Sequence, residues 1–523
     1  MSTWVNNGRF TPRPYQIEDT DALIACPRYG LFSDVGTGKS KIFVDAAQRA
    51  HYERGEIDTV VIGVPGQALP VWADEEVGEI ATHAWKGSKH RIIPFTAAGK
   101  GKLPSGRNPD GGIDFVVTNY EYVRHGQKGA KKRFKPGPHM ARLLEWIAGR
   151  KVWAAYDEAW ALKSHTAKQT KFAFELGRRV PRVTLLNGSP IASSPLDLFA
   201  QMAILDPAIL KCPDFLTFRA RYAIVVNNEY GPQIVGWQNL EELQRLIAPF
   251  VVRREMDQCL NLAAVESHIV KVPLTDRTWD TYTQMRTDLV AMLDHNTVAI
   301  ARQAVVKVLR LAQILSGFVG GQEKLDDQLA FDYAAADSSI QPFDFTDTKA
   351  IGSEKCDAAI EFLHNWIRHT PTPRKAVLWT RFRDEQSLDF EKIKAAFPSF
   401  KVAVIRGQQK AAERKAALNL VWPGRDPADA IVLAHPGAGG AGLNFGACTL
   451  IGFLSHDFNL RVRLQALGRV IPRATRPVQL VDFIATGPRG QKTLDHHVVE
   501  RLREKESLAT WTIAAWRKAI VEE

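Results

Sequence analysis

The chain has 523 residues, 45% of them apolar and 24% charged, which is the make-up of an ordinary globular protein with room for about three domains. No apolar run reaches bilayer-spanning length, and the N-terminal MSTWVNNGRF lacks the apolar core of a signal peptide, so the sequence predicts a soluble cytoplasmic protein. Five scattered cysteines (Cys26, Cys212, Cys259, Cys356, Cys448) without a CxxC pair argue against a zinc site or a disulfide framework, and a net charge of +11 suits a polyanionic partner such as nucleic acid, or serves solubility alone.

Arg13-Pro14-Tyr15-Gln16 comes first in chain order. A glutamine here can bond the Watson–Crick edge of an adenine with Tyr15 packed beside it; a surface glutamine is the plainer reading. Next is Leu31 to Ser40, LFSDVGTGKS: an apolar strand, a glycine-bearing loop, then Lys39 and Ser40 opening a helix. Backbone N–H groups of such a loop and of the helix N-terminus, Thr37 included, favour phosphate oxygens. Gly36 and Gly38 allow close approach, Lys39 reaches the outer phosphates and the Ser40 hydroxyl holds Mg²⁺. The strict pattern asks for glycine at position 33, where Ser33 stands.

Thr59–Pro65 and Ile113–Asn119 read as buried strands, with Trp72 at the start of a helix between them. Residues 97–112 read as an exposed loop. The most basic segment, Arg124 to His139 with Lys128, Lys131, Lys132, Arg133 and Lys135, is either a solvated loop or a contact to a nucleic-acid backbone. Val152–Tyr156 is a strand that ends on Asp157-Glu158. In an open parallel sheet the ligand lies beyond such ends, so Asp157 can hold Mg²⁺ and Glu158 can orient and deprotonate water. Two carboxylates capping a helix are the alternative. Pro181–Pro190 is a strand running into a Gly-Ser-Pro turn, residues 253–254 are paired arginines in VVRREM, and Lys271–Leu274 reads as the exit strand of the first domain. Residues 276–320 are helical and 322–350 form a polar connector. A second series of strands follows at 376–380, 401–405, 430–434, 449–454 and 478–483, alternating with helices, which implies a second parallel sheet. It carries the glycine run 437–442 and the arginine-rich helix with Arg461, Arg463, Gln465, Arg469 and Arg473. That helix is either a basic face or a source of charge for phosphoryl transfer.

In this order the pieces resemble the superfamily-two helicases, and within them the Swi/Snf-type double-stranded DNA translocases, from Tyr15 to about residue 506. The matching stretches are SDVGTGKS (33–40), VPGQALPVWADEE (64–76), FVVTNYEYV (115–123), YDEAW (156–160), LNGSPI (186–191), RGQQKAAERKAALNLVW (406–422, with Arg414), HPGAGGAGLNF (435–445) and RLQALGRVIPR (463–473). The resemblance implies an α/β fold of two tandem RecA-like parallel-sheet domains, 1–270 and 351–500, a helical segment and connector at 271–350, and a C-terminal helix at 501–523. It implies ATP and Mg²⁺ as cofactors, with Lys39, Asp157, Glu158, Arg469 and Arg473 catalytic. Tyr15, Gln16, Gly36, Thr37, Gly38, Lys39, Ser40, Gly442 and Gln465 would bind nucleotide, and Ser40 and Asp157 the metal. The implied protein is a monomeric motor on nucleic acid, duplex DNA by preference. Trp160 replaces the histidine of the family's DEAH box, Asn187 and Ser189 replace two threonines, and Pro472 displaces the second arginine to Arg473. These departures motivate two alternatives, a nucleic-acid-binding protein that has lost the motor and a strand-separating helicase on RNA or forked DNA.

Overall fold

A computed structural model describes Trp4 and residues 7–76, 78–99, 101–124, 127–128, 134–188, 194–228, 231–293, 298–320, 348–407, 409–436 and 444–503. The chain divides after Asn261 into two compact units. The first is built on a seven-stranded sheet in the order Val251–Val252, Arg28–Leu31, Arg182–Leu186, Val152–Asp157, Thr59–Val64, Ile113–Asn119, His90–Pro94, with every pairing parallel. Its central strands are buried along their whole length, so they read as continuous β-branched and aromatic runs. Successive side chains then feed opposite faces: Val60, Ile62, Trp153 and Ala155 enter one core, and Val61, Ala154, Tyr156 and Leu185 the other. The crossovers place 251–252, 28–31, 182–186 and 152–157 side by side, so their carboxyl ends are neighbours although the sequence separates them widely.

The second unit holds a six-stranded sheet, Val265–Pro273, Val478–Thr486, Leu450–Phe453, Lys375–Trp379, Ala430–Ala434, Lys401–Ile405, again parallel throughout. One expectation is corrected here. The segment containing Lys271–Leu274 is not the exit strand of the first domain; residues 265–273 pair along their full length with Val478–Thr486, from Val265 opposite Val478 to Pro273 opposite Thr486. The first unit therefore ends near residue 261 rather than 270. Helices Asp276–Leu293 and Val298–Leu315 also belong to the second unit, since Tyr282, Leu311, Ile314 and Leu315 pack with Ala485. Trp72 lies near the end, not the start, of the five-residue helix Leu69–Ala73. Residues 322–347 of the polar connector, Lys131, Lys132 and Arg133 of the basic segment, and residues 504–523 of the expected C-terminal helix lie outside the described residues. No helix among the described residues is long and apolar enough to cross a membrane.

At the amino-terminal edge of the first sheet, Asp114 is fully buried and accepts from two arginines. Arg91 Nε and Nη2 reach it at 2.8 and 2.9 Å and Arg150 Nη1 at 2.9 Å, with Arg150 lying 3.6 Å from the Trp146 ring centroid. Removing the carboxylate charge deprives the mostly buried Arg150 and the partly exposed Arg91 of their anion, which costs about 1–3 kcal/mol. Asp114→Asn is thus expected to lower the melting transition of the first unit by calorimetry and leave that of the second in place; an unmoved first transition refutes this account.

Candidate active site

The phosphate-loop segment begins where Arg28–Leu31 ends and closes into the helix Lys39–Tyr52. Gly36 and Gly38 have φ of 89° and 85°, a left-handed backbone that side chains rarely adopt. At Gly38 a Cβ would also lie 2.3 Å from Gln16 Nε2. The Thr37 carbonyl accepts both the Tyr15 hydroxyl, at 2.8 Å, and the Gln16 amide, at 3.1 Å, while Gln16 Oε1 accepts the Arg13 N–H at 2.9 Å. Both ends of the Gln16 amide are therefore used within the protein, where the sequence offers them to an adenine or to solvent. In this structure Gln16 ties its helix, Pro14–Ala25, to the loop. Burial pushes the Tyr15 hydroxyl up to about 12.

Lys39 Nζ donates to the carbonyls of Ser33, at 2.7 Å, and Asp34, at 2.9 Å. Loss of hydration pulls its pKa down; the charges of Glu158, Asp157 and Asp34 oppose that, and Arg253 adds to it. These five groups share one field. Ser40 stands in the first turn of the fourteen-residue helix, at the positive end of its dipole.

Asp157 closes the buried strand Val152–Asp157. Its Oδ2 accepts the Trp72 indole N–H at 2.7 Å, its Oδ1 accepts the Glu158 N–H at 2.9 Å, and its carbonyl accepts the Tyr120 hydroxyl at 2.7 Å. Burial, then the adjacent Glu158 charge, push its carboxyl up to about 7, and the Trp72 bond and Lys39 pull the other way. Glu158 sits at φ 52°, ψ 47°. A non-glycine residue there costs about 1–2 kcal/mol. The Trp160 indole N–H donates to Glu158 Oε2. The residue that stands in place of the DEAH histidine thus holds the carboxylate two positions before it. Trp72 was not singled out for this role: its partner lies 85 residues away, and no local pattern marks it.

Between these two strand ends comes Leu186. Asn187 Nδ2 donates to Gln201 Oε1 at 2.8 Å, and a Cβ on Gly188 would lie 3.0 Å from Val35 Cγ2 and 3.8 Å from Lys39 Nζ, so this strand end abuts the loop. Ser189 lies outside the described residues, as does Gly442. Tyr15, Gln16, Gly36, Thr37, Gly38, Lys39, Ser40, Asp157 and Glu158 therefore share the first unit, and Gln465, Arg469 and Arg473 belong to the second. Arg469 is buried, with Nη1 donating to the Pro436 carbonyl at 2.8 Å. Arg463 makes a bidentate pair with Asp482 at 2.7 and 2.8 Å and lies over Phe453. Arg473 stands in the 3₁₀ turn Ile471–Arg473, where a Cβ on Gly446 would lie 2.6 Å from its Cβ.

A family model described as the SNF2-related domain matches residues 30–325, more than half of the chain. The chain belongs to the SNF2 family. A second model, the helicase conserved C-terminal domain, matches residues 354–472, so this SNF2-family protein carries both halves of the helicase-like ATPase architecture. It is 35% identical over 100 residues to the SWI/SNF-related matrix-associated actin-dependent regulator of chromatin subfamily A-like protein 1 of Drosophila melanogaster, a stretch covering 19% of this chain and 13% of that protein's length. It is 22% identical to the putative protein p41 of Acyrthosiphon pisum secondary endosymbiont phage 1, over 97% of this chain and 99% of that one. The solved Sulfolobus solfataricus SWI2/SNF2 ATPase core in complex with dsDNA aligns with 98% of this chain and 95% of its own at 20% identity and a TM-score of 0.39.

The donor set of the first unit suits a magnesium triphosphate. Lys39 and a helix N-terminus face the loop, and the carboxylate of Asp157 with the hydroxyl of Ser40 offers the few hard oxygens that Mg²⁺ takes from protein. The Trp72 bond makes the Asp157 charge optically visible. The indole emission contributed by Trp72, taken as wild type minus Trp72→Phe, is expected to titrate well above the usual carboxylate range and to lose that transition in Asp157→Asn. A wild-type difference spectrum that stays flat through neutrality overturns the assignment.

Proposed function

We propose that the protein hydrolyses ATP with Mg²⁺ at this first-unit site and uses the cycle to move along nucleic acid, duplex DNA by preference. What supports the reading most is the convergence of Lys39, Asp157 and Glu158 from the ends of two strands separated only by Arg182–Leu186. Lys39 would leave the Ser33 and Asp34 carbonyls for the outer phosphate oxygens. Ser40 and Asp157 would hold the metal, which, bound there, draws charge from the phosphates. Glu158, oriented by Trp160, would accept the proton of the attacking water as its oxygen bonds the γ-phosphorus and the β–γ bridge breaks. The proposal gives the arginine that stabilises spread phosphoryl charge to Arg469, with Arg473 the lesser candidate. In that role the Arg469 guanidinium would exchange its bond to Pro436 for phosphate oxygens. Nucleic acid as the track rests on the family and on the net charge of +11. The reading without a motor draws on the departures at Trp160 and Arg473; the Trp160 bond to Glu158 counts against it, because the replacement still serves the carboxylate.

Lys39→Ala and Glu158→Gln are each expected to abolish phosphate release while leaving the melting profile unchanged. Wild-type turnover should rise on adding duplex DNA more than on adding single strands or RNA. Parent-rate hydrolysis by either variant, or a wild type that no nucleic acid stimulates, sinks the proposal.

A further inference from the structure

The paired arginines of VVRREM have no part in the reading above. The two-residue strand Val251–Val252 runs parallel beside Arg28–Leu31, with Gly30 opposite Val251 and Leu31 opposite Val252. That register delivers the next two residues to the mouth of the phosphate loop. Arg253 is mostly buried. Its Nη2 donates to Asp34 Oδ1 at 2.5 Å, and its Nη1 to the carbonyls of Phe32, at 2.7 Å, and Gly188, at 3.2 Å. The other Asp34 oxygen accepts the Met256 N–H at 3.0 Å, and the Asp34 N–H donates to the Arg254 carbonyl at 2.9 Å. Arg254 turns the opposite way. Its guanidinium binds Asp19 at 2.7 and 3.0 Å and Glu18 at 2.8 Å, on the helix that carries Tyr15 and Gln16. Consecutive arginines thus tie the loop to one neighbour and the Tyr15 helix to the other, from more than two hundred residues downstream.

We propose that Arg253 is a positioning residue for the nucleotide: it cancels the Asp34 charge and pins the loop to the Leu186–Gly188 strand end, so that Lys39 meets the phosphates in a fixed place. This rests on the reading of the loop as the ATP site. The chemistry follows from the geometry. A guanidinium is planar and presents several donors at fixed angles, so one side chain serves a carboxylate and two carbonyls on separate segments. Lys39 lies in the field of Asp34. Without Arg253 the Asp34 carboxylate loses its guanidinium partner beside the place where a polyanion must enter, and it competes with the phosphates for Lys39. A lysine at 253 supplies the charge but not the fork.

The test measures ATP turnover and equilibrium binding of a fluorescent ADP for the full chain, wild type and variants, with thermal melts alongside. Arg253→Ala should raise KM for Mg-ATP at least about tenfold, the scale of a lost charge-assisted contact. Adding Asp34→Asn to it should recover at least about threefold of that loss, because the uncompensated charge is gone. Arg253→Lys should keep KM near wild type with a lowered kcat, and it carries the test if the alanine variant melts early. Wild type that takes up no ADP overturns the ATP reading and this inference with it. Wild type that binds, with Arg253→Ala or Arg253→Lys matching it in KM and kcat, overturns this inference alone, as does an Arg253→Ala defect that Asp34→Asn leaves untouched.

Discussion

A parallel sheet delivers all its strands to one edge, and the chemistry of the first unit depends on that constraint. The central strands are paired on both sides and buried on both faces, and each strand must leave the sheet at its carboxyl end through a loop. Four such exits stand together: those of 251–252, 28–31, 182–186 and 152–157. No strand supplies the charged groups alone. Arg253, the Ser33–Gly38 loop with Lys39, the Asn187-Gly188 corner and the Asp157-Glu158 pair become one site because the crossovers put their strands in adjacent rows.

Bringing like and unlike charges into a half-dry corner demands compensation, and the structure provides it by direct hydrogen bonds. Asp34 is met by a guanidinium and a backbone N–H, Asp157 by an indole and a backbone N–H, and Glu158 by a second indole. Indoles donate without adding charge. Two of them can therefore fix a pair of neighbouring carboxylates without placing a countercharge on either. A lysine or arginine in either place would have held the carboxylate more tightly and used up that charge.

Much of this was legible in the sequence because it is local. A strand buried on both faces must be a run such as TVVIGV or IDFVV, and a phosphate loop must place its glycines, lysine and serine within a few residues. What was not legible is what long-range pairing decides. Trp72 and Asp157 are 85 residues apart and Arg253 and Asp34 are 219 apart; neither pair leaves a periodic trace, and VVRREM reads only as a charged stretch. The strand at 271–274 could be recognised as extended, but its start at 265 and the sheet it joins depend on register with 478–486, which nothing in its own residues announces. Gln16 was read from its chemistry alone, and that chemistry suits a base edge and the Thr37 carbonyl equally well.

The left-handed backbone at Glu158 sets stability against chemistry at a single residue. Glycine would relieve the strain and free a little more than a kilocalorie per mole for the fold, and would at the same moment delete the carboxylate. In the role proposed for Glu158, selection for heat resistance alone would drift toward an inert protein at this position.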